Sequence, residues 1–213
     1  FNIPDSRGTL KICRNSNAKT TKIIKKWYEY IINSEIISVK NLLQMDNIVI
    51  PNYQRPYKWT TKNVNQLIDD ILIHKEKSEY RLGTLVLHNH DGVFDIVDGQ
   101  QRTITLTLIA HAIIQKQGKT EEEEKALKIF KKLSFANDIS KANIQNNFRQ
   151  IERRIADFDK ELITFFLEKC TLVKVVLSDI SEAFQFFDSQ NARGKDLEPH
   201  DLLKAFHLRE MNN

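Results

Sequence analysis

Glycine and proline are scarce in this sequence, six and four in 213 residues, which excludes a collagen-like or low-complexity disordered chain. Cysteine is scarcer still. Cys13 and Cys170 stand far apart, without the paired spacing of a disulfide framework or a zinc site. Both read as small buried side chains, and a reducing cytoplasm is the expected compartment. No apolar run reaches the roughly 18 residues that a membrane span needs, so no membrane partner is expected. The opening Phe1 to Leu10 holds Pro4, Asp5 and Arg7 and lacks the apolar stretch of a signal peptide. No Gly-x-x-x-x-Gly-Lys-Ser/Thr loop occurs, which excludes a P-loop NTPase, and no Gly-x-Ser-x-Gly nucleophile elbow occurs either.

What is present is ordinary globular chemistry: 41% hydrophobic and 28% charged residues. The length suffices for one large domain or two small ones. The net charge of +4 is compatible with a nucleic-acid partner without identifying one. Lys19, Lys22, Lys25 and Lys26 cluster on one expected helix behind Lys11 and Arg14, and a solvated helix face accounts for them better than phosphate contact does.

Apolar spacing predicts a helix over 19–34, a short helix over 39–44 and a short strand at 47–51. A second helix is expected over 61–75, with Thr60 or Thr61 as its cap and Val64, Leu67, Ile68, Ile71 and Leu72 as its buried stripe. Strands at 83–88 and 93–97 flank a turn at Asn89 to Gly92, with Asp-Gly as its signal. A strongly apolar helix follows over 100–116, and Gly118 is a natural stop. Beyond an acidic run at Glu121 to Glu124, the chain to Lys169 reads as polar helix, and 172–177 as a β-branched strand. Asp179 then caps another helix, and Glu198-Pro199 opens a last one. These elements imply an α+β fold: a small mixed sheet with packed helices, plus a largely helical C-terminal lobe. The expected division is an α/β core at 36–118 with a helical extension at 1–35. A mainly helical lobe at 119–213 follows, whose strand near 172–177 returns toward the first sheet.

Three clusters carry chemistry. The sharpest is Asp98-Gly99-Gln100-Gln101-Arg102, between an expected strand and an expected helix. A helix start leaves amides without intrahelical partners and carries partial positive charge, so it suits phosphate. Gly99 permits a sharp turn and close backbone approach. Arg102 can add a bidentate contact, and Gln100 and Gln101 offer amides for a phosphate, a ribose or a water. Asp98 can hold a metal-bound water or act as a base. A tight strand–helix turn with a polar first turn explains the pattern about as well, except that such a turn does not need two glutamines and an arginine.

The second cluster is Pro51-Asn52-Tyr53-Gln54-Arg55-Pro56-Tyr57-Lys58-Trp59. Aromatics with cations can stack a base and hold a phosphate. The plainer reading makes Tyr57 and Trp59 core plugs in a proline-fixed loop, and leaves Gln54 and Arg55 open. The third cluster is Asn191-Ala192-Arg193-Gly194, followed by Asp201 and Lys204. It serves as a helix stop or, through Arg193, as a phosphate contact. His88, His90 and Asp91 sit at a hairpin tip without a fourth donor nearby in sequence, and read as a solvated turn.

In this order the clusters resemble the N-terminal domain of GmrSD-type restriction endonucleases. The matching stretches are Ile50 to Trp59, Leu82 to Leu87, Ile96 to Thr103, and Phe187 to Leu203 with its Asn-x-Arg-Gly core. The resemblance covers about residues 36 to 206, and Asp-Gly-Gln-Gln-Arg together with Gln-Arg-Pro-Tyr-x-Trp is its specific part. It implies a ParB/sulfiredoxin-like core in which the strand–turn–helix holds nucleotide phosphate. It further implies hydrolysis of nucleoside triphosphate with Mg²⁺, coupled to restriction of foreign, often base-modified, phage DNA. By position, Asp98, Gln100, Gln101 and Arg102 are the implied catalytic residues, and Asp98 the implied metal ligand. Gly99 and Thr103 share their turn, Gln54 and Arg55 face it, and Asn191 and Arg193 close the nucleotide site. Such proteins continue into, or pair with, a His-Asn-His-type nuclease. No such pattern occurs by Asn213; if the chain is a fragment, DNA cutting belongs to the missing part. Two rival readings stand beside this one: a DNA-binding module without chemistry, and a metal-dependent DNA-nicking domain.

Overall fold

The computed structural model describes residues 34–51, 54–117 and 138–178. Residues 19–33 of the helix expected over 19–34, the acidic run at Glu121 to Glu124, and everything after Ser178, Asn191 and Arg193 included, lie outside the described residues. Five strands form one mixed sheet in the order β1-β5-β3-β4-β2. They are β1 (Ser34–Ser38), β2 (Ile48–Val49), β3 (Tyr80–His90), β4 (Val93–Asp98) and β5 (Cys170–Leu177). The helices are α1 (Val39–Gln44), α2 (Thr61–Ile73), α3 (Gln100–Gln117), α4 (Asp138–Arg154) and α5 (Lys160–Thr164). A 3₁₀ turn at Ile155–Asp157 follows α4, and a π-helical turn at Phe165–Lys169 leads into β5. This is the expected α+β fold.

Local chemistry accounts for the element ends. Asp91 (φ 51°) and Gly92 (φ 82°) both take positive φ, the requirement of a two-residue hairpin turn between β3 and β4. β3 therefore runs two residues closer to the tip than the sequence pattern predicts, while β4 begins at Val93 as expected. Ser38 caps α1 by accepting from Asn41 N at 3.1 Å, and Asp159 caps α5 by accepting from Leu162 N at 2.7 Å. At the start of α2 the Thr60 amide donates to Asn63 Oδ1 at 3.0 Å. The strand expected at 47–51 shrinks to Ile48–Val49, because Pro51 offers no amide to a ladder. Ser34 belongs to β1 rather than to the end of a helix, and β1 itself was not foreseen.

β3 is the centre of the sheet, antiparallel to β4 and parallel to β5. A parallel partner needs a long crossover, here the chain from Gly99 to Lys169 with α3, α4 and α5 in it. The core joins Leu85, Leu87 and Ile96 of the sheet to Ile68 and Ile71 of α2, Ile104 and Leu108 of α3, Ile151 of α4, and Phe166. α3 is buried on nearly every side from Gln100 to Ile114, as expected for a helix apolar all round. α4 packs against both α2 and α3. Among the described residues no helix is long and apolar enough to cross a membrane.

Candidate functional site

The helix mouth is built where β4 ends. Gly99 turns the chain at φ 94°, and a β-carbon there would lie 3.1 Å from both Thr84 O and Leu85 Cδ1. The turn is therefore pressed against β3 and accepts glycine alone without strain. α3 then starts at Gln100, with Thr103 N donating to Gly99 O at 2.9 Å. Its first amides have no partner within the helix.

Arg102, in the first turn, reaches back across β3. Its Nη1 donates to Thr84 O at 3.3 Å, and the guanidinium lies against Gly83. A β-carbon at Gly83 would come within 2.8 Å of Nη1. The ladder between β3 and β5 shifts register between Arg81 and Gly83, so an irregular strand and a missing side chain together make room for the cation. Arg102 is half-buried, and burial pulls its pKa down, opposed by Asp98 and Tyr80. Asp98 is also half-buried. Burial pushes its pKa above the ordinary carboxylate value, against the pull of the Gly99 amide and of the Arg102 and Arg55 charges. The turn thus holds a carboxyl whose charged form burial disfavours beside a cation that water does not fully solvate.

The loop at 54–60 is laid over this mouth by side-chain amides. Gln54 Nε2 donates to Ile96 O at 2.9 Å and Val97 O at 2.8 Å, which ties the loop to the end of β4. Gln100 Nε2 donates to Arg55 O at 3.0 Å. Gln101 uses both ends of its amide: Nε2 donates to Pro56 O at 3.2 Å, and Oε1 accepts from Lys58 N at 2.7 Å and Trp59 N at 3.1 Å. From the other side α4 holds the same backbone. Ser140 Oγ accepts from Tyr57 N, Asn143 donates to Tyr57 O, and Asn147 donates to Trp59 O. Tyr57 is fully buried, and its hydroxyl bonds Thr105 and Asn147, so it is a core plug with a satisfied polar tip. Trp59 packs partly buried against the core.

The structure therefore brings Gln54, Arg55, Asp98, Gly99, Gln100, Gln101, Arg102 and Thr103 to one place. Asn191 and Arg193 lie outside the described residues. Within the group the roles divide. Gln101 is occupied by the loop. Arg55 is exposed, while its carbonyl is held by Gln100. Thr103 is fully buried, and its Oγ1 has no hydrogen-bond partner among the described residues. Gln100 is 7% exposed, and its Oε1 is likewise buried without a partner among the described residues. Sequence reasoning missed Gly83, Thr84 and Tyr80 around Arg102, and Ser140, Asn143 and Asn147 around the loop. Only Gly83, a glycine inside a strand pattern, carried a local signal.

The family model for the GmrSD restriction endonuclease N-terminal domain matches residues 39–208. The chain belongs to that family. No curated protein shows a significant match to the sequence. In this GmrSD N-terminal domain the matched span contains both the 54–60 loop and the Asp98–Arg102 turn that the loop covers.

Proposed function

We propose that the Asp98–Arg102 turn binds the phosphates of a nucleoside triphosphate and hydrolyses it, as the nucleotide-consuming module of a restriction enzyme that acts on foreign DNA in phage defence. The observation that carries this reading is Arg102. Its guanidinium is half-buried at a helix mouth and rests on a glycine, with a single carbonyl at 3.3 Å as its hydrogen-bond partner among the described residues. A guanidinium has five N–H donors, so most of its capacity is available to an anion. Gln100 Oε1 supports the same reading, as a buried acceptor that the described residues leave unmet and a ligand hydroxyl or water can meet.

In this reading Arg102 and the first amides of α3 hold phosphate oxygens, and Arg55 adds charge from the exposed rim. Asp98 takes a proton from, or orients, the attacking water; its raised pKa brings it closer to the range of a useful base. Gln54, Gln100 and Gln101 position the loop. Asp98 also fits Mg²⁺, which is commonly held by one or two carboxylates together with substrate phosphates. When bound there, the ion supplies neutralisation of phosphate charge. The ParB/sulfiredoxin-like character of the core, a DNA partner and a His-Asn-His-type nuclease domain or subunit belong to the same proposal.

The test is a thermal-shift titration with each nucleoside triphosphate and Mg²⁺, followed by phosphate release. A nucleotide at 100 times its Kd adds about 2.7 kcal/mol of stability. Arg102→Ala is expected to abolish the shift and lower turnover. Equal turnover in a folded Arg102→Ala protein overturns the assignment. No nucleotide shift, with DNA affinity that falls steeply with salt, favours a DNA-binding module without chemistry.

A further inference from the structure

The β3–β4 hairpin carries a second group of reactive side chains. His88 and His90 are two residues apart on β3 and so project from one face of the sheet. Asp95 is the residue directly across from His88 in the β3–β4 register. His90 Nδ1 lies 3.3 Å from Asp95 Oδ2, and His88 Nδ1 lies 4.0 Å from the same oxygen. One donor atom from each of the three residues falls within 4.8 Å of the other two. The imidazole rings stack, with centroids 5.7 Å apart and planes at 21°. The side chains of His88 and Asp95 are 13% and 15% exposed, while His90 is half open to solvent.

An ion pair alone does not account for this arrangement. His88 Nδ1 is buried and has no hydrogen-bond partner among the described residues, since the Asp95 oxygen is too far away to accept. An unmet buried ring nitrogen is a standing cost. A metal ion between the three donors removes it. Ligands at about 2.1 Å around tetrahedral Zn²⁺ stand roughly 3.4 Å from one another. The two nitrogen–oxygen distances, 3.3 and 4.0 Å, are within a small side-chain rotation of that figure.

We propose that His88, His90 and Asp95 bind one first-row divalent transition ion of the zinc type. Two imidazole nitrogens and one carboxylate oxygen form a donor set that suits such ions, whereas Mg²⁺ and Ca²⁺ take oxygen ligands almost throughout. Three protein ligands leave a coordination position for water or an exogenous ligand, in contrast to a closed four-ligand structural site. The ion ties β3 to β4 next to the Asp91-Gly92 turn, on the strand that ends in Asp98. The assignment does not rest on the nucleotide reading. Asp95 lies across the hairpin from His88, which is why inspection of His88, His90 and Asp91 as a run finds no complete site.

The test uses the whole chain, stripped with chelator and titrated with ZnCl₂ by calorimetry in buffer containing Mg²⁺. Co²⁺ serves as a second probe, because its visible absorption reports coordination. One Zn²⁺ site is expected, with no competition from millimolar Mg²⁺. His90→Ala, at a half-exposed position, and Asp95→Asn, which keeps the side chain's shape, are each expected to weaken Zn²⁺ roughly 10-fold or more, since even the groups that orient metal ligands are worth about 10–100-fold. Both variants should keep the wild-type far-UV circular dichroism and the same response to nucleoside triphosphate. The proposal is overturned if the wild-type chain takes up no Zn²⁺ at micromolar concentration. It is equally overturned if both variants bind Zn²⁺ and Co²⁺ as the wild type does, which would place the ion on other histidines.

Discussion

At Gly83 the backbone takes φ 128°, and any β-carbon would come within 2.8 Å of the Arg102 guanidinium. Gly83→Ala therefore meets two penalties: about 1–3 kcal/mol of backbone strain and displacement of the cation. Urea denaturation is expected to show a loss of that order, and the nucleotide-induced thermal shift should shrink with it. Asp98 gives a prediction of opposite sign. Its folded-state pKa is raised by burial, so between the unfolded and folded pKa values the native state binds the extra proton. Unfolding then releases a proton, and stability falls as pH rises through that window. Above it the cost of the buried charge is fully present, and below the unfolded pKa it is absent. Asp98→Asn should remove this slope and be at least as stable as wild type at neutral pH. Nucleoside triphosphate turnover should nevertheless fall by roughly 10²–10⁴-fold, the usual worth of a general base. Melting temperature from acid to neutral pH, set beside turnover, checks both halves. A wild-type stability that rises with pH exactly where Asp98→Asn is flat would refute the sign.

The loop at 54–60 shows how an element without regular hydrogen bonding is held in place. Buried backbone groups must find partners, and this loop finds them in Gln100 and Gln101 of α3 and in Ser140, Asn143 and Asn147 of α4. Gln101→Ala leaves the Lys58 and Trp59 amides without their acceptor, at about 1–3 kcal/mol for each donor that stays buried. Tyr57→Phe loses the two hydroxyl contacts to Thr105 and Asn147 and keeps the ring, so about 1–2 kcal/mol is expected. Chemical denaturation of the two variants should order them with Gln101→Ala the less stable. Elements of this kind are only half legible in a sequence. β3, β4, α2 and α3 were visible because their periodicity and end signals agree, down to the Asp-Gly turn and Gly99. β1 was not, because it buries Ile37 and leaves Ile36 57% exposed, a pattern too short to set apart from the end of a helix. The site residues Asp98 to Arg102 stood out as one run, whereas the asparagines that hold their covering loop lie on α4, far along the chain. That pairing is made by packing and leaves no local mark. Asp95 was hidden from His88 for a different reason: the turn was expected at Asn89 to Gly92, and the tighter Asp91-Gly92 turn sets the register that pairs them.

At the scale of the described body, the sheet joins early and late chain. β5 enters beside β3 after the crossover through α3, α4 and α5, so the strand that carries Gly83 and Thr84 is hydrogen-bonded on both edges, by β4 and by β5. α3, which carries Arg102, is enclosed on nearly all sides. The two elements that frame the candidate site are thus the ones whose exposure requires the whole body to open. Amide hydrogen exchange should find β3 and α3 among the slowest segments, exchanging only through global unfolding. The Asp91-Gly92 turn and the two-residue β2 should exchange roughly 100-fold faster or more. β5 should share the slow class, because its loss exposes one edge of β3. If instead β5, α4 and α5 exchange together in denaturant well below the midpoint for β3, the late segment is a separate cooperative unit. The candidate site would then rest on the earlier segment alone, with the loop at 54–60 released from its α4 side before the sheet itself opens.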